Sequence, residues 1–335
     1  MARRIATLVL LLALTGCGAQ DDPEPALATA GSGLTTFRDD RDCLTVTFPS
    51  TWRRAPRDLT PSLTDPIEVL TVGTGALPVN RADARCAQTP TTALTRMRPT
   101  DVLLTVQERR GGLVQADAQP GRPRIDATPA DRNDARECAG RSVPIRTYWM
   151  PSRVGGRGFY ALAAVGERAP SSRRRALQAV LDALRVDERR LEDDRQRGLR
   201  FWRPAGWRTF PFALTSSVQL RHQVALGTFA LDQSRPDPNC APASALDARP
   251  GDGGFLFVFE YPDLNPRQID RFAHRPRRFV FDTRDPRGYE CFGRSRLLRW
   301  REGDRAFQAH VYGEGRRLRE ALGILDTFAV RARRR

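Results

Sequence analysis

Lysine is absent from this 335-residue chain, so all 55 of its basic residues are arginine. The Gly-Lys loop that cradles phosphates is excluded with it. Histidine is nearly as scarce: His222, His274 and His310 are the only three, all in the C-terminal half and none at ligand spacing from another. The chain also lacks a Gly-x-Ser-x-Gly elbow, a His-Glu-x-x-His helix and any Cys-x-x-Cys pair. Those absences remove the common serine-hydrolase, zinc-protease and zinc-ribbon signatures, and no metal or cofactor is expected. No apolar run approaches the roughly 20 residues needed to cross a bilayer.

What is present is a strong positive balance, with formal charge +16. Such an excess bears on solubility and association rather than on fold. Ala, Gly and Pro are abundant alongside arginine, which reads as coding bias. A dedicated nucleic-acid module would concentrate arginine with aromatic residues on one element. Here the arginines are interspersed with carboxylates throughout, and only the tail 331–335 is dense. Nucleic acid is therefore not the expected partner. Attraction to an anionic membrane or wall polymer stays open on the same grounds.

The N-terminus has three parts in a fixed order: Arg3 and Arg4, an apolar stretch from Ile5 to Leu14, and Leu14-Thr15-Gly16-Cys17. This order is that of an export signal. The final four residues resemble the lipobox of bacterial lipoproteins. The resemblance implies removal of residues 1–16 and diacylglycerol on the Cys17 thiol, with the mature chain held at the outer face of the cell membrane. Taking 2 leader arginines from 55 basic residues against 39 acidic ones leaves the mature chain at +14.

The remainder carries one pattern twice. Gly73-Thr74-x-Ala76-Leu77 stands eight residues before Cys86, and Gly227-Thr228-x-Ala230-Leu231 stands eight before Cys240. Pro49-x-x-Trp52 is matched by Pro204-x-x-Trp207, and Glu137-Cys138-x-Gly140-Arg141-Ser142 by Glu290-Cys291-x-Gly293-Arg294-Ser295. The displacements are 155, 154 and 153 residues, so the sequence predicts an internal duplication. The period is too long for a solenoid, whose repeats run about 20–50 residues. The expected organisation is a signal peptide at 1–16, a lipidated stalk at 17–34, repeat domains at 35–188 and 198–330, a charged linker at 189–197, and a basic tail at 331–335.

Each copy reads as α+β, a mainly antiparallel sheet packed by a C-terminal helix. Expected strands are 44–48, 67–72, 102–108, 143–149 and 158–165, then 199–202, 218–226, 255–260, 296–300 and 306–312. Val102 to Glu108 and Phe255 to Glu260 are almost continuously apolar, as in strands buried on both faces. Short helical patches are expected at Ala93-Leu94 and Ala245-Leu246. Leu177, Val180, Leu181 and Leu184 make one closing-helix stripe, with Ser171 or Ser172 as its N-cap; Leu318, Leu322, Leu325 and Phe328 make the other.

Export makes disulfides credible. Pairing Cys86 with Cys138 and Cys240 with Cys291 keeps each repeat self-contained; four buried thiols are the alternative. Cys43 has no counterpart, because Gly198 stands at its place, and it reads as a reduced, partly buried thiol or an intermolecular bridge. Glu108 and Glu260 end matching strands, and Glu137 and Glu290 precede matching cysteines. They are read as partners for arginines at strand ends, with acid-base work as the competing reading. Arg141 and Arg294 are candidate anion contacts.

Pro204-x-Gly206-Trp207, the strand around Arg305-Ala306-Phe307, and Leu325-Asp326-Thr327-Phe328 together resemble the PsbP-like domains of bacterial lipoproteins. The first copy departs from that pattern, with Ser50-Thr51 before Trp52 and Leu184 in place of Phe328. The resemblance implies an antiparallel sheet flanked by helices and a noncatalytic binding or assembly role, and no functional residue carries over. The expectation is an envelope lipoprotein that binds an unidentified protein or ligand. Two alternatives stand beside it: an envelope hydrolase using His222, His274 or His310 beside a carboxylate, and an adhesive surface for polyanions.

Overall fold

Alternation of buried and half-buried residues in Leu34–Asp39 and Leu44–Pro49 makes two strands, β2 and β3, that put Thr35, Phe37, Leu44, Val46 and Phe48 inward. The computed structural model describes residues 28–30, 33–80, 86–109, 119–126, 128, 130, 138, 144–211, 213–214, 219–231, 246, 249–281 and 295–331. Strand β1 (Ala28–Ala30) pairs with β2, and β10 (Arg185–Val186) with the far edge of β3. Residues 28–30 and 34, expected in the stalk, thus belong to this small sheet.

A second sheet lies beneath it in the order β4-β5-β6-β9-β8-β7. Its strands are β4 (Arg53–Arg54), β5 (Ile67–Gly73), β6 (Val102–Arg109), β7 (Gln119–Pro120), β8 (Ile145–Val154) and β9 (Arg157–Gly166). Pairings are antiparallel except β7 with β8. Strands β5 and β9 are buried at every position, because both faces of the sheet are covered. On one face Val102, Leu104 and Val106 meet β3 and helix α2 (Ser171–Ala183). On the other Leu103 and Ala164 meet Leu59, Met97 and the buried residues of helix α1 (Thr91–Thr95), Ala93 and Leu94.

Helix α2 starts at Pro170 without a side-chain cap, so neither Ser171 nor Ser172 has the expected role. Packing compensates. Burial of Leu177, Val180 and Leu181 contributes roughly 5–8 kcal/mol, several times the ~1 kcal/mol of a cap.

The C-terminal half has the same order of pairings. Strands β11 (Arg189–Asp194) and β12 (Leu199–Pro204) form a hairpin that β18 (Ala329–Val330) extends. The larger sheet runs β13-β14-β15-β17-β16. Its members are β13 (Arg208–Thr209), β14 (Gln223–Gly227), β15 (Phe255–Tyr261), β16 (Arg296–Glu302) and β17 (Arg305–Tyr312). Helix α3 (Pro266–Ile269) follows β15, and helix α4 (Gly315–Asp326) packs Ala321, Ile324 and Leu325 against β12 and β17. Two expectations change here. Residues 189–194 of the expected linker are strand β11, and the strand expected from Val218 begins at Gln223, after a 3-10 turn at Leu220–His222.

The halves meet where the β2–β3 turn abuts α4. Arg41 donates through Nη2 to Asp326 Oδ1 (2.9 Å) and to the Phe279 carbonyl (2.8 Å). Arg319 holds Asp40 at 2.7 Å, Arg278 holds Asp42 at 2.9 Å, and Arg277 holds Asp58 at 2.8 Å. Gly323 permits the approach, since a Cβ there would lie 2.1 Å from the Arg41 carbonyl oxygen.

Candidate functional site

Glu108 closes β6 and faces the start of β9, which places it against Arg157. The two form a bidentate pair, Nε to Oε1 and Nη2 to Oε2, both 2.8 Å, and both are almost fully buried. Two of the three remaining guanidinium N–H groups donate to the Asp42 carbonyl (2.7 Å) and the Cys43 carbonyl (3.3 Å) in the β2–β3 turn. Glu260 and Arg305 reproduce this at the end of β15 and start of β17, at 2.8 and 2.7 Å. Arg305 then reaches the Arg197 carbonyl (2.9 Å) and the Gly198 carbonyl (3.4 Å) in the β11–β12 turn. Both aligned glutamates are thus clamped by an arginine at a strand end. Sequence reasoning missed which arginine; the Arg-x-Phe at 157–159 and 305–307, after Gly155-Gly156 and Gly303-Asp304, is the signal that marks it.

Cys43 and Gly198 have the same backbone conformation at the ends of their turns. Both have left-handed backbone, at φ 47° and 66°, and their carbonyls accept the N–H of Asp187 and Arg331. That conformation suits glycine and is uncommon for other residues. The Cys43 thiol is 1% exposed and donates to the Asp40 carbonyl at 3.5 Å. Beside it Arg189, from the start of β11, turns back into the first half. Its Nη2 donates to the Arg41 carbonyl, and its Nη1 lies 3.9 Å from Glu108. Burial opposes its charge, but Cys43, Glu108 and Asp42 outweigh that and hold the guanidinium protonated.

The histidines are dispersed. His310, in β17, is fully buried between Phe257 and Phe259, with Ser295 Oγ 3.1 Å from Nδ1 and Gln308 Nε2 2.8 Å from Nε2. The Gln308 carbonyl oxygen accepts from Tyr261 Oη and Arg299 Nε, both 2.7 Å, so its amide nitrogen faces the imidazole as a donor. His310 Nε2 therefore accepts, and Nδ1 carries the proton toward Ser295. An imidazole so oriented cannot take the serine proton. Burial, reinforced by Arg299, lowers its pKa to about 4. His274 is exposed, its Nε2 accepting from Arg301 Nη2 at 2.8 Å.

His222 lines a cleft of about 840 Å³ with Arg195, Arg197, Arg221, Asp263 and Arg331, over the Glu260–Arg305 pair. Five arginines face two carboxylates there. Arg197 leans on Asp194 (2.8 Å) and Arg331 on Asp193 (2.7 Å), while Arg195 and Arg221 are exposed. The cleft therefore favours anionic groups.

Cys86 and Cys138 form the expected disulfide, across 52 residues and a Cα separation of 5.6 Å. Cys17, Cys240, Cys291, Arg141 and Arg294 lie outside the described residues. Among the described residues no three His, Cys, Asp or Glu side chains gather as a metal site. Comparison with protein-family models, with curated proteins and with solved structures finds no match.

Proposed function

We propose that the chain is a lipid-anchored extracytoplasmic protein made of two copies of one PsbP-like unit, acting as a noncatalytic binding or assembly module. The observation that carries the binding reading is the fate of the repeated carboxylates. Glu108 and Glu260 are one of the two repeated carboxylate pairs that an activity common to both halves could use, and each is consumed in a bidentate arginine clamp; the other pair, Glu137 and Glu290, lies outside the described residues. The buried histidine presents its proton, not its lone pair, to the nearby serine. The arginine-lined cleft stays open to solvent, with chemistry suited to holding anionic groups.

The matching orders β4-β5-β6-β9-β8 and β13-β14-β15-β17-β16 support the duplication, and they favour starting the second copy at β11. The Cys86–Cys138 disulfide is in keeping with an oxidising compartment. Lipid anchoring rests on the Leu14 to Cys17 motif. In intact cells the protein should fractionate with membranes and carry a lipid on Cys17, while a Cys17→Ser chain should be soluble; recovery of that variant in the membrane fraction would refute the anchor. Crosslinking in the intact envelope should capture a discrete partner, and turnover of a hydrolysable envelope substrate by the purified protein would replace this reading with the hydrolase.

A further inference from the structure

We infer that the cleft around the β11–β12 turn, residues 195–198, is a docking site for an acidic segment of a partner polypeptide. The inference rests on the two-copy reading above and deepens it by naming the class of partner.

The β2–β3 turn shows what such a turn does when occupied. Asp40, Arg41 and Asp42 are covered by polypeptide from the other half, and Asp42 and its neighbour Asp326 are left with fully buried side chains. Every charge in that turn meets its opposite: Asp40 meets Arg319, Arg41 meets Asp326, and Asp42 meets Arg278. At the matching turn the residues are Arg195, Gln196 and Arg197, followed by Gly198 where the first turn has Cys43. The framework is kept. Asp39 and Asp194 both accept the N–H of a turn residue, at 2.9 and 2.8 Å, and each turn hands its carbonyls to a clamped arginine. The two acidic positions have become arginine, and the turn opens on the cleft instead of on a helix end.

Sign inversion at a preserved docking element selects the occupant. A partner that presents carboxylates where the first turn receives Arg319 and Arg278 would meet the exposed Arg195 and Arg221, with Arg197 and Arg331, already leaning on Asp194 and Asp193, adding positive potential at the rim. A second copy of this chain docked head to tail does not fit. The surface that receives the first turn displays Arg278 and Arg319, so Arg195 and Arg197 would meet like charges there. Single exposed ion pairs contribute little, and recognition here depends on several converging in one concave site.

The test uses the mature protein as extracted from cells in neutral detergent and a fluorescent ten-residue peptide rich in glutamate, read by anisotropy. A glutamine peptide of equal length, pyrophosphate and phosphatidylglycerol vesicles are run beside it. Arg195→Glu with Arg221→Glu changes two exposed side chains that make no ion pair among the described residues; Arg146→Glu with Arg153→Glu makes the same charge change on β8. The glutamate peptide should bind, and binding should weaken roughly tenfold or more in the cleft variant and less than about twofold in the β8 variant. Equal loss in both variants would mean diffuse charge attraction and overturn the proposal. So would absence of glutamate-peptide binding, or a cleft-dependent preference for pyrophosphate or vesicles. A partner still captured in the envelope by the cleft variant would remove the cleft assignment and leave the binding function standing.

Discussion

Glu108 lies between two buried guanidiniums, Arg157 at 2.8 Å and Arg189 at 3.9 Å, and Glu260 is held by Arg305 at 2.7 Å. Neutralising a buried partner leaves an uncompensated charge, at a cost of about 3–5 kcal/mol. Glu108→Gln should therefore destabilise by an amount in that range, as urea denaturation will measure. His310 gives a second residue-scale prediction. Its pKa is near 4 when folded and near 6.5 when unfolded, so between those values the unfolded chain binds more protons and stability falls as the pH drops. In His310→Gln that contribution is gone. The stability difference between wild type and variant should change by up to about 3 kcal/mol between pH 4 and 6.5 and be flat above. Asp39 works oppositely: burial and Asp42 raise its pKa to about 6, so it lowers stability as the pH rises from about 4 to 6. It is common to both proteins and cancels in the difference. The glutamates were legible as candidates because they end matched strands, but the partners were not. With 55 arginines in the sequence, the pairing of Glu108 with a residue 49 positions away is decided by strand register.

At the scale of elements, helix α4 and the β2–β3 turn depend on one missing methyl group. In an isolated helix Gly→Ala is worth about 1 kcal/mol of stabilisation. At Gly323 the new Cβ would sit 2.1 Å from the Arg41 carbonyl oxygen, a backbone atom that cannot swing aside. Gly323→Ala should therefore lower the melting temperature, while Gly206→Ala, where nothing lies within 4 Å of the added Cβ, should leave it nearly unchanged. Most elements were readable from periodicity. The stripe of Leu177, Val180 and Leu181 located α2, and the apolar runs located β6 and β15. Strand β11 was not, because Arg-Arg-Leu-Glu-Asp-Asp places charge on an edge strand, a composition that discourages edge-to-edge association and reads as a solvated linker. The N-cap of α2 was misread for a related reason: serine is the usual cap, but the chain enters through Pro170 and the buried stripe fixes the helix without one.

Across the whole molecule, the halves are joined by a set of ion pairs at one face. Asp326 is central, accepting two N–H groups of Arg41 and the backbone N–H of Phe279 with its side chain fully buried. Wild-type protein should unfold in a single cooperative transition, and Asp326→Asn should split it into two in a calorimetric scan. The shared order of strand pairings in the two halves was foreshadowed by the spacing of the Pro-x-x-Trp, Gly-Thr and cysteine motifs; the face joining the halves was not, since it is built from charged turn residues whose identities differ at the matching turn.

Arg189 has a consequence for anyone wishing to divide the chain. It is the first residue of the second hairpin by backbone and an interior residue of the first half by side chain. No cut point satisfies both memberships: a fragment ending at 188 is left with an empty slot beside Glu108 and Cys43, and one beginning at 189 carries a long cation stripped of its setting. The boundary between the halves is a shared side chain, so neither half is a detachable module.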